Sequence, residues 1–461
     1  MSAAATASPP SPVTPKLTLS EALSSARETR ALVIGSGVLR ETARVFKEHF
    51  SGSRAVVVAD ERTFTGAGRF VHELLAADNV ACLEPFVFTD PALCAEFRFV
   101  KQLGDSLRRH DAVPVAVGSG TINDLVKLAA HRTGRPAYLC VATAASMDGY
   151  TAFGASITYQ GAKQTFNCPA PRAVVADLDV IRHPPSELTA AGYADLSAKI
   201  TAGADWILAD ALGAEPIDPR SWAIVQGGLR DSLDDPAGAR AGTASAIGPL
   251  VEGLMLGGFA MQWSKSSRPA SGAEHQFSHL WDMEHHLHNG EAPSHGFKVG
   301  VATLAVTRLY EQLLAHDFTA LDVDHALAGW PAPEIAIERA RQMFAATDFV
   351  GTAITETRAK HLSPAGLRAQ LAQLKAIWPE TRVRLKAQLL PSTGMQRRLN
   401  LAGAPTEPEE IGISRERLRD SFIRAYHIRR PFTVLDVAVR TGTLDTLLAG
   451  LFGRGAVWEI R

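Results

Sequence analysis

The sequence has no Cys-x-x-Cys pair. Its four cysteines, Cys82, Cys94, Cys140 and Cys168, are scattered through 461 residues. That excludes a disulfide framework and a cysteine-built zinc module, and it points to reduced, buried thiols in a cytoplasmic protein. Neither sign of charge is in excess. Lys and Arg number 47 against 48 Asp and Glu, so bulk attraction to nucleic acid or to an anionic membrane is excluded. An unbroken apolar run of membrane length is missing too. The nearest approach, Ala246 to Trp263, carries Glu252, Pro249 and four glycines and reads as a buried helix pair, not a membrane span. Residues 1–15 are rich in Ala, Ser, Thr and Pro and lack the basic start and apolar core of a signal peptide, so they read as a disordered tail.

What is present centres on Val113 to Gly149. An apolar strand (Val113 to Val117) stops at Gly118-Ser119-Gly120, a helix follows from about Thr121, and a second strand (Tyr138 to Val141) ends in Thr143-Ala144-Ala145-Ser146-Met147-Asp148-Gly149. Glycines at a strand-to-helix turn admit a ligand close to the backbone, and the helix start offers free N–H groups to an anion. The expected occupant is the pyrophosphate of a dinucleotide. The third glycine of the usual fingerprint is absent, and the same turn occurs in α/β proteins without nucleotide. The polar residues Thr143, Ser146 and Asp148 at the next strand end favour a ligand, because open α/β sheets bind at strand C-terminal ends.

Upstream, Ala31 to Ile34 and Ala55 to Ala59 read as strands, the first followed by a second glycine turn, Gly35-Ser36-Gly37. The second ends at Asp60, placed to accept hydrogen bonds from an adenosine ribose. Arg62 nearby would accommodate a 2′-phosphate, so NAD and NADP both remain open. Further strands are expected at Cys82 to Phe88 and Ala173 to Ala176, a helix at Ala92 to Arg109, and a hairpin from Thr151 to Asn167 turned by Gln160-Gly161. After about His183 the period becomes helical. Candidates include Glu187 to Leu212, Gly272 to His286, Gly296 to Ala315, Pro364 to Ala376, Pro379 to Leu390 and Thr433 to Gly450. The organisation expected is an α/β dinucleotide-binding domain (16–183) and an all-α domain (184–461), with the active site in the cleft between them.

The helical half carries candidate metal ligands. Asp195 lies mid-helix among apolar residues, where a carboxylate needs a partner. His275 and His279 are four apart and share a helix face, and His295 opens the next helix. One Asp and two His suit Zn²⁺ or a similar divalent ion with positions left for substrate. Spacing offers no rule for choosing His295 over His279. His285, His286 and His288 read as solvated residues near a helix end. A metalloprotease reading fails because Gln276, not Glu, follows His275.

Together GSGTINDLVK, ATAASMDGYTA, AADLDVI, TAAGYADLSAKITAGADW, SSRPASGAEHQFSHLWDM and SHGFKVGVATL resemble the bacterial branch of the sn-glycerol-1-phosphate dehydrogenases. These are relatives of the iron-containing alcohol dehydrogenases and dehydroquinate synthases. The resemblance covers roughly residues 30 to 310, and more loosely YHIRRPFTVLDVAVRTG beyond. It implies the same two-part fold and a dimer or larger oligomer. It also implies reversible NAD(P)H-dependent reduction of dihydroxyacetone phosphate on one divalent metal, Zn²⁺ or Ni²⁺. By residue, it implies that Gly120, Thr121, Ile122, Asn123 and Asp124 hold the pyrophosphate, and that Thr143, Ala144, Ala145 and Ser146 meet the nicotinamide half. Asp60 would meet the ribose and Asp148 the substrate hydroxyls. Asp195, His275 and His295 would bind the metal, with Asp195 also near substrate, and His279 would contact substrate in a proton relay.

The chain departs from the family where a serine usually meets the cofactor: that position is Ala152, and Thr151 before it offers a substitute hydroxyl. Arg268 and Lys298 are candidates for the substrate phosphate. A dehydroquinate-synthase-like cyclase would share the fold, NAD and metal, but typically presents Glu where this chain has Asp195. A glycerol or polyol dehydrogenase would differ in needing no phosphate.

Overall fold

Alternate residues of each strand feed two different cores. Val56, Val58, Ala116, Cys140, Ala142, Val174 and Ala176 point to one side. Ala55, Val57, Ala59, Val115, Val117, Leu139, Val141 and Val175 point to the other. Strands apolar on both faces belong in a parallel sheet covered on both sides. The computed structural model, which describes residues 15–135, 137–159 and 162–460, has such a sheet. Its strands are β1 (Ala31–Gly35), β2 (Ala55–Asp60), β3 (Phe86–Phe88), β4 (Val113–Gly118), β5 (Leu139–Ala142) and β8 (Ala173–Asp177), in the order β1-β8-β5-β4-β2-β3. All the pairings are parallel. An antiparallel hairpin, β6 (Ala155–Tyr159) with β7 (Ala162–Phe166), stands apart. The expected tail falls almost wholly on residues 1–14, and the expected turn on Gln160-Gly161. Both lie outside the described residues.

After β8 the chain is helical. Its axis is the Ser186–Ala211 helix, in which every residue from Thr189 to Ala209 is buried. A helix apolar on all sides belongs inside the protein, and this one packs against the His295–Ala315, Ala273–Met283 and Ala244–Ser264 helices. Small residues set the separations. A Cβ on Gly192 would overlap the Ala145 carbonyl, and one on Gly296 would overlap the Ala191 carbonyl. The Ala244–Ser264 helix is the one helix among the described residues long and apolar enough to cross a membrane. In its most apolar window 78% of the residues are buried inside the fold, and it runs through Pro249 unbroken as one helix, not the expected pair.

Several expected boundaries move. The strand expected from Cys82 shrinks to Phe86–Phe88, and the helix expected from Ala92 begins at Phe97. The two helices expected either side of Pro379 are a single Pro364–Gln388 helix. The one expected from Thr433 to Gly450 is broken into Val434–Arg440 and Leu444–Phe452.

Candidate active site

From β2 the chain moves outward to β3, and from β4 it moves the other way to β5. The crevice outside the C-terminal ends of β2 and β4 is therefore a topological switch point, where ligands of such sheets bind. Val58 pairs with Ala116, so the ends of these strands bring Asp60 and the Gly118–Gly120 turn to the same edge. The Gly120–Arg132 helix starts from Ser119 in extended conformation with no side-chain cap, leaving its first N–H groups for an anion. Gly118 is required sterically, since a Cβ there would meet Ile122 Cβ at 2.5 Å. The other glycine turn, Gly35-Ser36-Gly37, already holds an anion of the protein's own. Asp177 accepts the Gly37 and Leu39 N–H groups at 3.1 and 2.7 Å, and β1 lies at the sheet edge.

Among the expected pyrophosphate residues, Thr121 is half-buried and Ile122 is buried in the core. Asn123 spends its side chain on Tyr138, whose hydroxyl donates at 2.8 Å, and on the Gly149 carbonyl. Asp124 accepts the Ser156 N–H at 3.1 Å. Their side chains thus brace the fold, and it is their backbone that faces the turn. Asp60 caps the short Glu61–Thr63 helix through Thr63.

The loop after β5 joins the two halves. Thr143, Ala144, Ala145 and Ala152 are buried, while Ser146 and Asp148 are partly exposed. Lys127, absent from the sequence-based candidates, fixes this loop. Its buried ammonium donates to the carbonyls of Gly149, Ala152 and Gly154 at 3.0, 3.0 and 2.9 Å, which uses all three of its protons. Thr151 does not replace the missing serine. It is fully buried, and its hydroxyl donates to the Met255 carbonyl at 2.7 Å.

On the helical side, Asp195, His275 and His295 bring one ligand atom each to within 4.8 Å of one another. The His279 ring stands 6.4 Å from both other imidazoles, which lie 5.4 Å apart. Each of the two closer histidines has its Nδ1 engaged from behind: His275 by Glu274 Oε1 at 2.8 Å, and His295 by the Ser278 hydroxyl at 3.4 Å. That leaves Nε2 forward in both, the arrangement that orients metal-binding imidazoles. Glu274 is itself fully buried and accepts from Gly272 N–H and the Thr201 hydroxyl. Lys199, one turn after Asp195, pairs with Asp195 at 2.9 Å and with Asp148 at 2.8 Å. Burial opposes ionisation of Asp195, but Lys199 and the two histidines outweigh it and hold the carboxyl well below the usual range. For Asp148, burial and the Asp195 charge dominate and push the pKa up. A buried, ionised Asp with two oriented imidazoles fits a divalent cation.

Glu274→Gln is expected to weaken divalent-metal affinity about 10–100-fold by loosening His275. Competition with a chromophoric chelator measures this, and unchanged affinity would remove Glu274 from the metal's support.

One expectation changes. His286 is not solvated: it is buried, bonds the Ile411 carbonyl at 2.6 Å, and receives Arg417 on Nδ1 at 2.7 Å. Burial lowers its pKa. Arg268 is paired with Glu215 at 3.0 Å, and Lys298 with Asp282. Both are buried, and Arg268 Nη1 has no hydrogen-bond partner among the described residues.

The family model described as iron-containing alcohol dehydrogenase matches residues 33–185. The glycerol-1-phosphate dehydrogenase [NAD(P)+] of Halalkalibacterium halodurans is 35% identical over 260 residues, 55% of this chain and 64% of that protein. The protein of the same name from Bacillus velezensis is 33% identical over 288 residues, 62% of this chain and 73% of that one. The chain belongs to the glycerol-1-phosphate dehydrogenase family. Its match spans about two thirds of the length of these curated relatives. Among solved structures, a probable glycerol dehydrogenase from Sinorhizobium meliloti 1021 superposes with a TM-score of 0.57 at 18% identity, covering 91% of this chain and 97% of that one. At that identity the likeness is one of fold, and it extends over the helical half of this family member as well as the sheet.

Proposed function

We propose that this protein is an NAD(P)H-dependent sn-glycerol-1-phosphate dehydrogenase, reducing dihydroxyacetone phosphate reversibly on one divalent metal, Zn²⁺ or Ni²⁺. It would act in the cytoplasm as a homodimer or larger assembly. The reading is carried by one observation: Asp195, His275 and His295 converge beside Asp148, which lies on the loop after β5. In it, residues 16–183 hold the dinucleotide and 184–461 the metal and substrate. Asp195, His275 and His295 hold the metal. Gly120 to Asp124 cradle the pyrophosphate through backbone N–H groups, Thr143 to Ser146 and Ala152 border the nicotinamide, and Asp60 takes the ribose.

Bound there, the metal would supply Lewis acidity to the carbonyl and the nicotinamide a hydride. Asp148 accepts the hydrogen bond of a substrate hydroxyl, which fixes the carbon presented to the cofactor. His279, partly exposed beside the two rings, supplies the proton to the alcohol oxygen. His279→Ala is accordingly expected to lower turnover roughly 10²-fold or more at near wild-type metal content, and loss of metal in that variant would make His279 a ligand. The pairing of Arg268 and Lys298 with carboxylates favours one second reading, a polyol dehydrogenase that needs no phosphate. Oxidation of NADH and NADPH with dihydroxyacetone phosphate and with dihydroxyacetone separates the two. Strong preference for the phosphate ester supports the first, and equal rates support the second.

A further inference from the structure

Lys199 is fully buried. It lies 2.8 Å from Asp148 Oδ2, 2.9 Å from Asp195 Oδ1 and 2.8 Å from the Asp195 carbonyl oxygen. The two carboxylates are close neighbours, since the Asp148 N–H donates to Asp195 Oδ2 at 3.1 Å. Asp148 therefore stands within a side chain's reach of the Asp195–His275–His295 cluster. A second carboxylate so near a divalent cation is drawn onto it unless something holds it elsewhere, because opposite charges attract strongly where water is excluded. The bridging ammonium supplies that restraint.

We propose that Lys199 is a positioning residue that keeps Asp148 beside the metal without letting it become a ligand, so that coordination positions stay open and the carboxylate stays available to the substrate. The inference rests on the metal reading above. Lys199 also places a positive charge next to the carboxylate that binds the metal, which weakens affinity and leaves the cation a stronger Lewis acid. Asp195 and Lys199 are one helical turn apart, so a single rigid helix fixes both members of the pair.

The test uses Co²⁺ as the probe on metal-stripped full-length protein, read by its visible absorption. In Lys199→Met, Asp148 is expected to join the metal. Co²⁺ bands weaken and move to shorter wavelength as coordination number rises, and Co²⁺ binds at least about tenfold tighter once the neighbouring positive charge is gone. Adding Asp148→Asn to that variant should return the wild-type spectrum. Asp148→Asn alone, with Lys199 in place, should leave the spectrum unchanged, and this arm stands even if Lys199→Met fails to fold. A wild-type spectrum and affinity in Lys199→Met, or a changed spectrum in Asp148→Asn alone, would overturn the proposal. Failure of the wild-type protein to bind Co²⁺ any better than a His275→Ala control would overturn the metal reading itself.

Discussion

Asp195→Asn is expected to strip the metal and abolish turnover while the protein stays folded. The substitution is nearly isosteric, and the amide oxygen can still accept the Asp148 N–H, which now bonds Asp195 Oδ2. The lost element is charge. Asp195 is wholly buried, and the convergence of Lys199, His275 and His295 keeps it ionised against its burial. A neutral amide leaves two imidazoles as the donor set. Losing a residue that merely supports a ligand costs about 10–100-fold in metal affinity, so losing the one anionic ligand should exceed about 100-fold, with activity falling at least as far. Lys199 keeps Asp148 and the Asp195 carbonyl oxygen as partners, so its ammonium is not stranded, but the new amide turns its NH2 toward it where Oδ1 had accepted at 2.9 Å, and the melting temperature should fall while the protein remains folded. Elemental analysis after dialysis, beside a turnover assay, checks both points. Wild-type metal content with activity reduced only a few-fold would remove Asp195 from the coordination shell.

The second large effect falls on stability. Lys127→Met keeps the length of the side chain and removes its donors, leaving the Ala152 and Gly154 carbonyls short of a partner, while the Gly149 carbonyl keeps the Asn123 side chain and the Ala152 N–H. Each buried acceptor left unsatisfied costs about 1–3 kcal/mol. Relief from burying an ammonium offsets part of that. A net loss on the order of 2–4 kcal/mol is a large fraction of the roughly 5–15 kcal/mol typical of a folded domain. The loop it holds carries Ser146 and Asp148, so activity should fall below what the surviving folded fraction would give. Thermal melting with and without NADH tests this. A melting curve matching wild type would mean that other contacts hold the loop.

Much of the fold is legible because its signals are redundant. Buried strands such as β4 are continuous apolar runs, and the Gly118-Ser119-Gly120 turn sits where a Cβ has no room. Pro379 misleads for a physical reason. Leu367, Leu371, Leu374, Trp378, Thr381 and Leu385 keep one buried face at spacings of four and three across it, and that packing outweighs a proline cost of about 3 kcal/mol. The break after Val434–Arg440 was readable, since Gly442 takes φ +71° just past the helix end. In the site, sequence spacing could not rank His279 against His295, whereas the folded rings differ in separation by about an ångström. The missed residues left faint signals. Glu274 precedes His275 directly, Lys199 follows Asp195 by one turn, and Lys127 lies on a helix whose neighbours are apolar. None of these declares a role until the partner segments arrive from elsewhere in the chain.

The most direct test of the whole account is product chirality. Metal-stripped protein, reloaded with Zn²⁺ or Ni²⁺, is given dihydroxyacetone phosphate with NADH or NADPH, and the glycerol phosphate formed is resolved by stereospecific analysis. The account predicts sn-glycerol-1-phosphate, formed only by the reloaded protein. Formation of the sn-3 isomer, or equal rates with and without metal, would contradict it.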